Sequence, residues 1–378
     1  MKPGTVNPEP EPGTRNPELG TVKILLIRLR LIGDVVFTTP IPRALKRAFP
    51  GSRITYLVEP AAAPVVTGNP HLDEVIIAPR PAGLARIVAD LRLARQLRRA
   101  RYDLVLDLHG GPRSAWLARA TGAPQRMGYV IQGRTWMYTR SVARPRALRR
   151  RHSVVNQWDL LEAIDGWPLG GPEPALDPVE MAADPTAAAR IGERLRAAGV
   201  APDAELIVAH VSAGNPFRTW PEPAFASLVC GLALASPRRR IVLSSGPSDR
   251  AAARRIAEAA RNALGASADR VVDFGEFDLA ELRALVERSR LFVGGDTGPL
   301  HIAATTATPI VGIYGPTEAV RSAPWRDPRV PTEAVEVAGL PCRPCDQRIC
   351  EPGDFRCLTT LRPEDVLSAA ERAMNRRV

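Results

Sequence analysis

The chain has 378 residues, 45% of them hydrophobic, which is enough for two α/β domains with separate cores. Its apolar runs are short, and none approaches the roughly 20 residues needed to cross a bilayer as a helix. The formal net charge is +11, yet only three of the 51 basic residues are lysine (Lys2, Lys23, Lys46). The excess is therefore arginine usage spread over the whole chain. No aromatic-interleaved basic motif accompanies it, so no nucleic-acid partner is expected.

Residues 1–20 hold five prolines and no charged-then-apolar signal pattern. They are expected to form a disordered tail on a cytoplasmic protein. Residues 22–27, Val-Lys-Ile-Leu-Leu-Ile, have the continuous apolar character of a strand buried on both faces. A loop through 28–33 follows, and Asp34-Val35-Val36-Phe37 then opens a helix. Segments 53–58, 74–78 and 103–108 read as further strands, with Arg/Ala/Leu-rich helical stretches such as 84–101 between them. That alternation predicts an α/β fold with a mostly parallel, doubly wound sheet. The first strand is followed by one glycine, Gly33, where a dinucleotide fingerprint would place three, which disfavours a nicotinamide or flavin enzyme. The basic run Arg144, Arg146, Arg149, Arg150, Arg151 suits phosphorylated substrates or an anionic membrane surface; solvated surface is the plainer account.

Between 166 and 203 the texture changes to six prolines and several glycines with little strand signal. We read this as the inter-domain connection, with one domain over 21–185 and a second over 186–378. The second half repeats the alternation, with strands expected at 206–211, 240–244, 291–293 and 310–314. A Cys-rich loop, 341–358, precedes a terminal amphipathic helix over 363–377.

The candidate chemistry sits where strands run into turns. Residues 292–301, Phe-Val-Gly-Gly-Asp-Thr-Gly-Pro-Leu-His, take a buried strand into a helix start. Asp296, Thr297 and Gly298 there supply a carboxylate, a hydroxyl and backbone N–H groups where a helix dipole favours an anion. A plain helix cap is the alternative. Residues 208–221 repeat the pattern: Ser212, Gly214 and Asn215 offer donors, and Arg218 adds a charged fork suited to phosphate. Asp249, after Ser244-Ser245-Gly246-Pro247-Ser248, is placed to accept ribose hydroxyls or to cap a helix. Three such loops in one half suggest a nucleotide-diphosphate pocket. In the first half, Asp34 would face it as a general base or serve as a cap. Arg113, after the strand at 103–108, is a candidate contact for acceptor phosphates or carboxylates. Cys342, Cys345, Cys350 and Cys357 are candidates for a structural zinc site, with free thiols as the alternative.

Ile32-Gly33-Asp34, Arg218-Thr219-Trp220-Pro221 and Gly295-Asp296-Thr297-Gly298-Pro299-Leu300-His301 resemble glycosyltransferase family 9, the ADP-heptose:lipopolysaccharide heptosyltransferases. Arg126-Met127-Gly128-Tyr129 and His152 fit the same family less specifically, and the similarity spans residue 22 to the C-terminus. The resemblance implies a GT-B architecture: two Rossmann-like doubly wound domains facing a cleft. It implies an inverting, metal-independent transfer of heptose from ADP-heptose to the lipopolysaccharide inner core, with no cofactor required for catalysis. Asp34 would activate the acceptor hydroxyl and Arg218 would stabilise the leaving diphosphate. Asp296, Thr297 and Gly298 would line phosphates and sugar, Asp249 the ribose and Phe277 the adenine. His301 would support the loop, and Ser212 would join the donor site. Arg113 and Arg126 would meet a lipid A-linked oligosaccharide acceptor at the anionic inner face of the cytoplasmic membrane. A sugar-nucleotide epimerase or hydrolase, or a non-catalytic binding protein of the same fold, are the alternatives.

Overall fold

The computed structural model describes residues 22–143, 150–211, 213–345 and 347–376. The expected N-terminal tail, Ser212 and Arg144, Arg146 and Arg149 of the basic run lie outside the described residues. The first half contributes β1 (Lys23–Ile27), β2 (Arg53–Val58), β3 (Glu74–Ile77), β4 (Leu104–Asp107), β5 (Gln125–Tyr129) and β6 (Arg140–Val142). They form one sheet in the order β3-β2-β1-β4-β5-β6. The second half contributes β7 (Glu205–His210), β8 (Arg239–Ser244), β9 (Val271–Asp273), β10 (Leu291–Gly295), β11 (Ile310–Tyr314) and β12 (Thr332–Glu336). Their order is β12-β11-β10-β7-β8-β9.

Every pairing in both sheets is parallel. Each half thus has the doubly wound order of a Rossmann-like unit, in which ligands bind beyond the carboxyl ends of the strands. The central strands carry unbroken apolar side chains because helices cover both sheet faces: Ile24, Leu25, Leu26 and Ile27 of β1 are all fully buried. The terminal helix Pro363–Asn375 packs on helix Glu222–Leu234 and on β11 and β12. Among the described residues no helix is long and apolar enough to cross a membrane.

The halves meet through the short helices that follow their first and fourth strands, Ile32–Val36 and Gly298–Ala303. Two glycines permit the approach. A Cβ on Gly33 would stand 2.6 Å from His301 Cδ2, and one on Gly298 would stand 3.1 Å from Ile32 Cγ2. The proline-rich connection closes the opposite side. Thr39 Oγ1 accepts from Glu180 N at 2.8 Å, and Trp325 Nε1 donates to Asp177 O at 2.8 Å, so the segment bridges both halves.

Candidate active site

The turn after β1 presents Asp34 within helix Ile32–Val36 rather than at its cap, which is Leu31. Arg28, at the end of the same strand, is buried; its Nη1 donates to Leu108 O at 2.5 Å and its Nη2 meets Asp34 Oδ2 at 2.5 Å. The guanidinium therefore fixes a carboxylate that stays 42% exposed. Beside it, His109 Nδ1 contacts Arg30 O at 3.1 Å. Burial, reinforced by the charge of Arg28, pushes the His109 imidazole down to about 4, so the ring is neutral at physiological pH.

Across the cleft, β10 ends in Gly294-Gly295, and Asp296 follows, buried. Thr317 Oγ1 donates to Asp296 Oδ2 at 2.5 Å, and Arg218 Nη1 donates to the Asp296 carbonyl at 2.9 Å. His301 Nε2 stands 3.4 Å from Asp296 Oδ1, longer than an ordinary hydrogen bond. Burial pushes the Asp296 carboxyl up, but His301, Arg218 and Thr317 together hold it below the ordinary range. Thr297 precedes helix Gly298–Ala303 in extended conformation, yet its hydroxyl donates to Gly295 O at 3.3 Å and does not cap the helix.

Arg218 is held from a third direction. Its Nε donates to Gln347 Oε1 at 2.8 Å, and Asn215 Nδ2 donates to the same oxygen at 3.0 Å. These contacts leave the Nη2 group without a protein partner among the described residues. Next to it, Trp220 is buried with Nε1 donating to Leu361 O at 3.2 Å, so the Trp-Pro corner anchors the loop that aims Arg218.

Asp34, Arg218, Asp296, Thr297, Gly298 and His301 all line one cavity of about 480 Å³ between the halves. A second chamber of about 700 Å³ shares Gly33, Arg218 and Asp296 with it and runs to Ser244–Ser248 and Phe277. Arg194 Cζ lies 4.4 Å from the Phe277 ring centroid and stacks on one of its faces. Asp249 follows the Ser244–Ser248 wall directly, with Ser248 Oγ donating to its Oδ2 at 3.0 Å.

The structure does not bring Arg113 or Arg126 into this cleft. Arg113 is tied to Asp90 at 2.6 Å, Glu59 at 2.9 Å and the Pro79 carbonyl at 2.6 Å. Arg126 spends its guanidinium on the carbonyls of Met137 and Ala123. The same cavity is lined by Arg151, Asn156 and Gln157 from the first half and Arg321 from the second, which sequence reasoning did not single out except for Arg151 in the basic run. Arg28, Thr317 and Gln347 were missed as well. Arg28 carried one signal, an arginine at the carboxyl end of a buried strand. His152 is a bolt between the halves: its Nδ1 accepts from Val154 N at 3.1 Å and its Nε2 contacts Ala323 O at 2.8 Å.

The zinc site considered for the four cysteines finds no support. Cys342, Cys345, Cys350 and Cys357 line one cavity and are all free. Among the described residues no group of three or more His, Cys, Asp or Glu could hold a metal ion. Cys357 belongs to the core of the second half, where burial pushes its thiol up. The loop's contribution to the cleft is Gln347, which holds Arg218.

Two parallel α/β units opposed across a cleft, one bearing Asp34 and the other holding Arg218 against an Asp-Thr-Gly turn, have the architecture of a glycosyltransferase of the GT-B type. Residues 90–352 match glycosyltransferase family 9 (heptosyltransferase), and the chain belongs to that family. It is 26% identical over 352 residues to lipopolysaccharide heptosyltransferase 3 of Escherichia coli, covering 92% of this chain and 97% of that one. In structure it is similar to a family 9 glycosyl transferase of Veillonella parvula, with a TM-score of 0.78 at 23% identity over 94% of this chain and 98% of that one. It is also similar to E. coli heptosyltransferase WaaC with ADP, with a TM-score of 0.66 at 19% identity over 93% and 100%. Membership favours glycosyl transfer over the epimerase, hydrolase and non-catalytic alternatives.

Proposed function

We propose that this chain transfers heptose from ADP-heptose to the lipopolysaccharide inner core by a single, inverting displacement that needs no metal ion. The 21–185 half takes the lipid A-linked oligosaccharide acceptor and the 186–378 half takes the donor. The observation that carries the reading is the shared cavity: Asp34 comes from one wall, and Arg218, Asp296 and Thr297 from the other. That is the arrangement a one-step displacement requires, with a base on one face of the anomeric carbon and the leaving group on the other.

The acceptor hydroxyl gives its proton to Asp34 as its oxygen bonds to the anomeric carbon, a step worth ~10²–10⁴ in rate. The bond from that carbon to the diphosphate oxygen breaks, and ADP leaves with the electron pair. Arg218 meets the charge that develops, already oriented by Gln347 and Asp296. The unpaired first-turn N–H groups at Thr297-Gly298 add neutral donors. The role a divalent cation plays at an Asp-x-Asp motif, which this sequence lacks, falls to these groups. The chamber bounded by Ser244–Ser248 and Phe277 takes the nucleoside, with Phe277 near the adenine; Asp249, which follows that wall in sequence but is not among its lining residues, is the ribose candidate. Peripheral association with the anionic inner face of the cytoplasmic membrane brings the enzyme to its acceptor.

The test offers purified protein a panel of ADP- and UDP-sugars with deacylated core acceptors and measures released nucleoside diphosphate. The reading expects acceptor-dependent ADP release with ADP-heptose. Equal release without acceptor, or a preference for UDP-sugars, would contradict it.

A further inference from the structure

Helix Leu84–Ala100, which links β3 to β4, is apolar on two opposite faces. Leu93 and Leu97 are buried against the first sheet, together with Leu25, Ile27 and Val105. The face turned away from that core carries Leu84, Ile87, Val88 and Leu91, which are 81%, 58%, 47% and 43% exposed. Their spacing is i, i+3, i+4, i+7, so they form one continuous stripe on the helix. Large aliphatics exposed together in this way mark an interaction surface rather than incidental exposure.

The same face changes character along its length. One turn beyond Leu91 it continues as Arg95, Arg98 and Arg99, all exposed, with exposed Arg92 at its border. The only acid of the helix, Asp90, points to the other side, where Arg113 holds it at 2.6 Å. The outward face is therefore aliphatic at its start and cationic at its end, with no carboxylate to repel an anion. On the same side of the sheet the turn Thr135–Met137 exposes Trp136, a residue type suited to the boundary between lipid and water.

The location matters as much as the pattern. Arg113 fastens Asp90 to Glu59 and to the Pro79 carbonyl, at the carboxyl ends of β2 and β3. Glu59 and Arg80 also line the larger cleft chamber, so the helix starts beside the cleft mouth. The arginine expected to touch the acceptor instead staples this helix in place.

We infer that the outward face of helix Leu84–Ala100 docks on an anionic phospholipid bilayer, with Leu84, Ile87, Val88 and Leu91 entering the acyl boundary and Arg95, Arg98 and Arg99 at the headgroups. Charge complementarity selects this occupant: an aliphatic stripe leading into a wholly cationic one matches a negatively charged lipid surface. It is not self-complementary, because a second copy would oppose arginine to arginine or to leucine. The inference rests on the proposed function only for why such a surface adjoins the cleft.

The test sediments the full chain with vesicles of phosphatidylcholine alone and of phosphatidylcholine mixed with phosphatidylglycerol, at low and high salt. Two variants are compared, L84S/I87S/V88S and R95Q/R98Q/R99Q, together with thermal melts and sedimentation velocity without lipid. The wild-type chain binds the phosphatidylglycerol vesicles and is released by salt, and each variant loses binding by about tenfold or more. Turnover of a deacylated, water-soluble acceptor stays unchanged in both variants. Wild-type protein that ignores phosphatidylglycerol overturns the inference, as does a folded serine variant that binds as well as wild type. A serine variant that merely converts a dimer to a monomer overturns it too, assigning the stripe to a second copy. Vesicle binding is read without turnover, so a chain that binds these vesicles but transfers no sugar overturns the transfer reading and still supports the docking face.

Discussion

Substituting Gly33 by alanine tests the junction between the halves with one methyl group. A Cβ at this position would lie 2.6 Å from His301 Cδ2 and 3.4 Å from its Nε2. Carbon atoms pack at about 3.5–4.0 Å, so roughly 1 Å must be found. His301 has no room to give it: the ring is buried, with Phe37 4.3 Å from it centroid to centroid and Asp296 Oδ1 3.4 Å from its Nε2. The helices Ile32–Val36 and Gly298–Ala303 must therefore separate. Overpacking of this kind costs about 1–3 kcal/mol, offset by about 1 kcal/mol because alanine favours helix over glycine. Stability should fall only slightly, whereas transfer should fall about 10²-fold, because Asp34 lies in one displaced helix and Asp296 immediately before the turn into the other. Acceptor-dependent ADP release and a thermal melt measure the two quantities on the same sample. Adding His301→Ala to Gly33→Ala should recover stability without recovering rate. Gly33→Ala with wild-type turnover would refute the reasoning, because it would mean the two short helices do not set the catalytic distance.

Three further outcomes follow from the site. Arg218→Met should weaken ADP binding by ~10–150-fold, the range of a lost charged hydrogen bond, and Arg218→Lys should recover part of that loss; unchanged ADP affinity by titration calorimetry would remove its phosphate role. Burial pushes the imidazoles of His152 and His210 down to about 4. Their neutral forms thus contribute stability that is fully present above about pH 6.5 and lost as the pH falls towards 4, roughly 2–3 kcal/mol for each ring. Urea midpoints measured from pH 7.5 to 4.5 should decline over that window, less steeply in His210→Asn; a flat profile would contradict the assignment. Incubation with EDTA followed by desalting should leave the transfer rate unchanged, and a loss restored by a divalent cation would overturn the metal-independent mechanism.

The central strands were legible because burial on both faces leaves a continuous apolar signature. β2 and β11 occur over 53–58 and 310–314 as expected, and β1, β4, β7 and β8 begin or end within one residue of expectation. Strands of polar composition were not legible, although the edge strand β3 was expected over 74–78. β5 and β6 read Gln-Arg-Met-Gly-Tyr and Arg-Ser-Val, and β12 reads Thr-Glu-Ala-Val-Glu, sequences that a solvated loop would carry equally well. Within the site, residues beside a strand end could be found from local pattern: Asp34 after β1, Asp296 and Thr297 after β10. Gln347 and Thr317 could not, because they reach Arg218 and Asp296 from 129 and 21 residues away. Arginines misled in a different way. In a chain so rich in them, most are spent on carboxylates and carbonyls, as Arg113 and Arg126 are, and residue type alone does not separate a ligand from a staple.

The account stands most directly on Asp34→Asn, assayed by single-turnover transfer alongside ADP-sugar binding. Asparagine keeps the shape and leaves Arg218, Asp296 and the nucleoside chamber untouched, so donor affinity should hold while the transfer rate drops by ~10²–10⁴. Transfer at the wild-type rate with donor affinity intact would show that the proton leaves by another route and that the carboxylate facing the donor half is not the base.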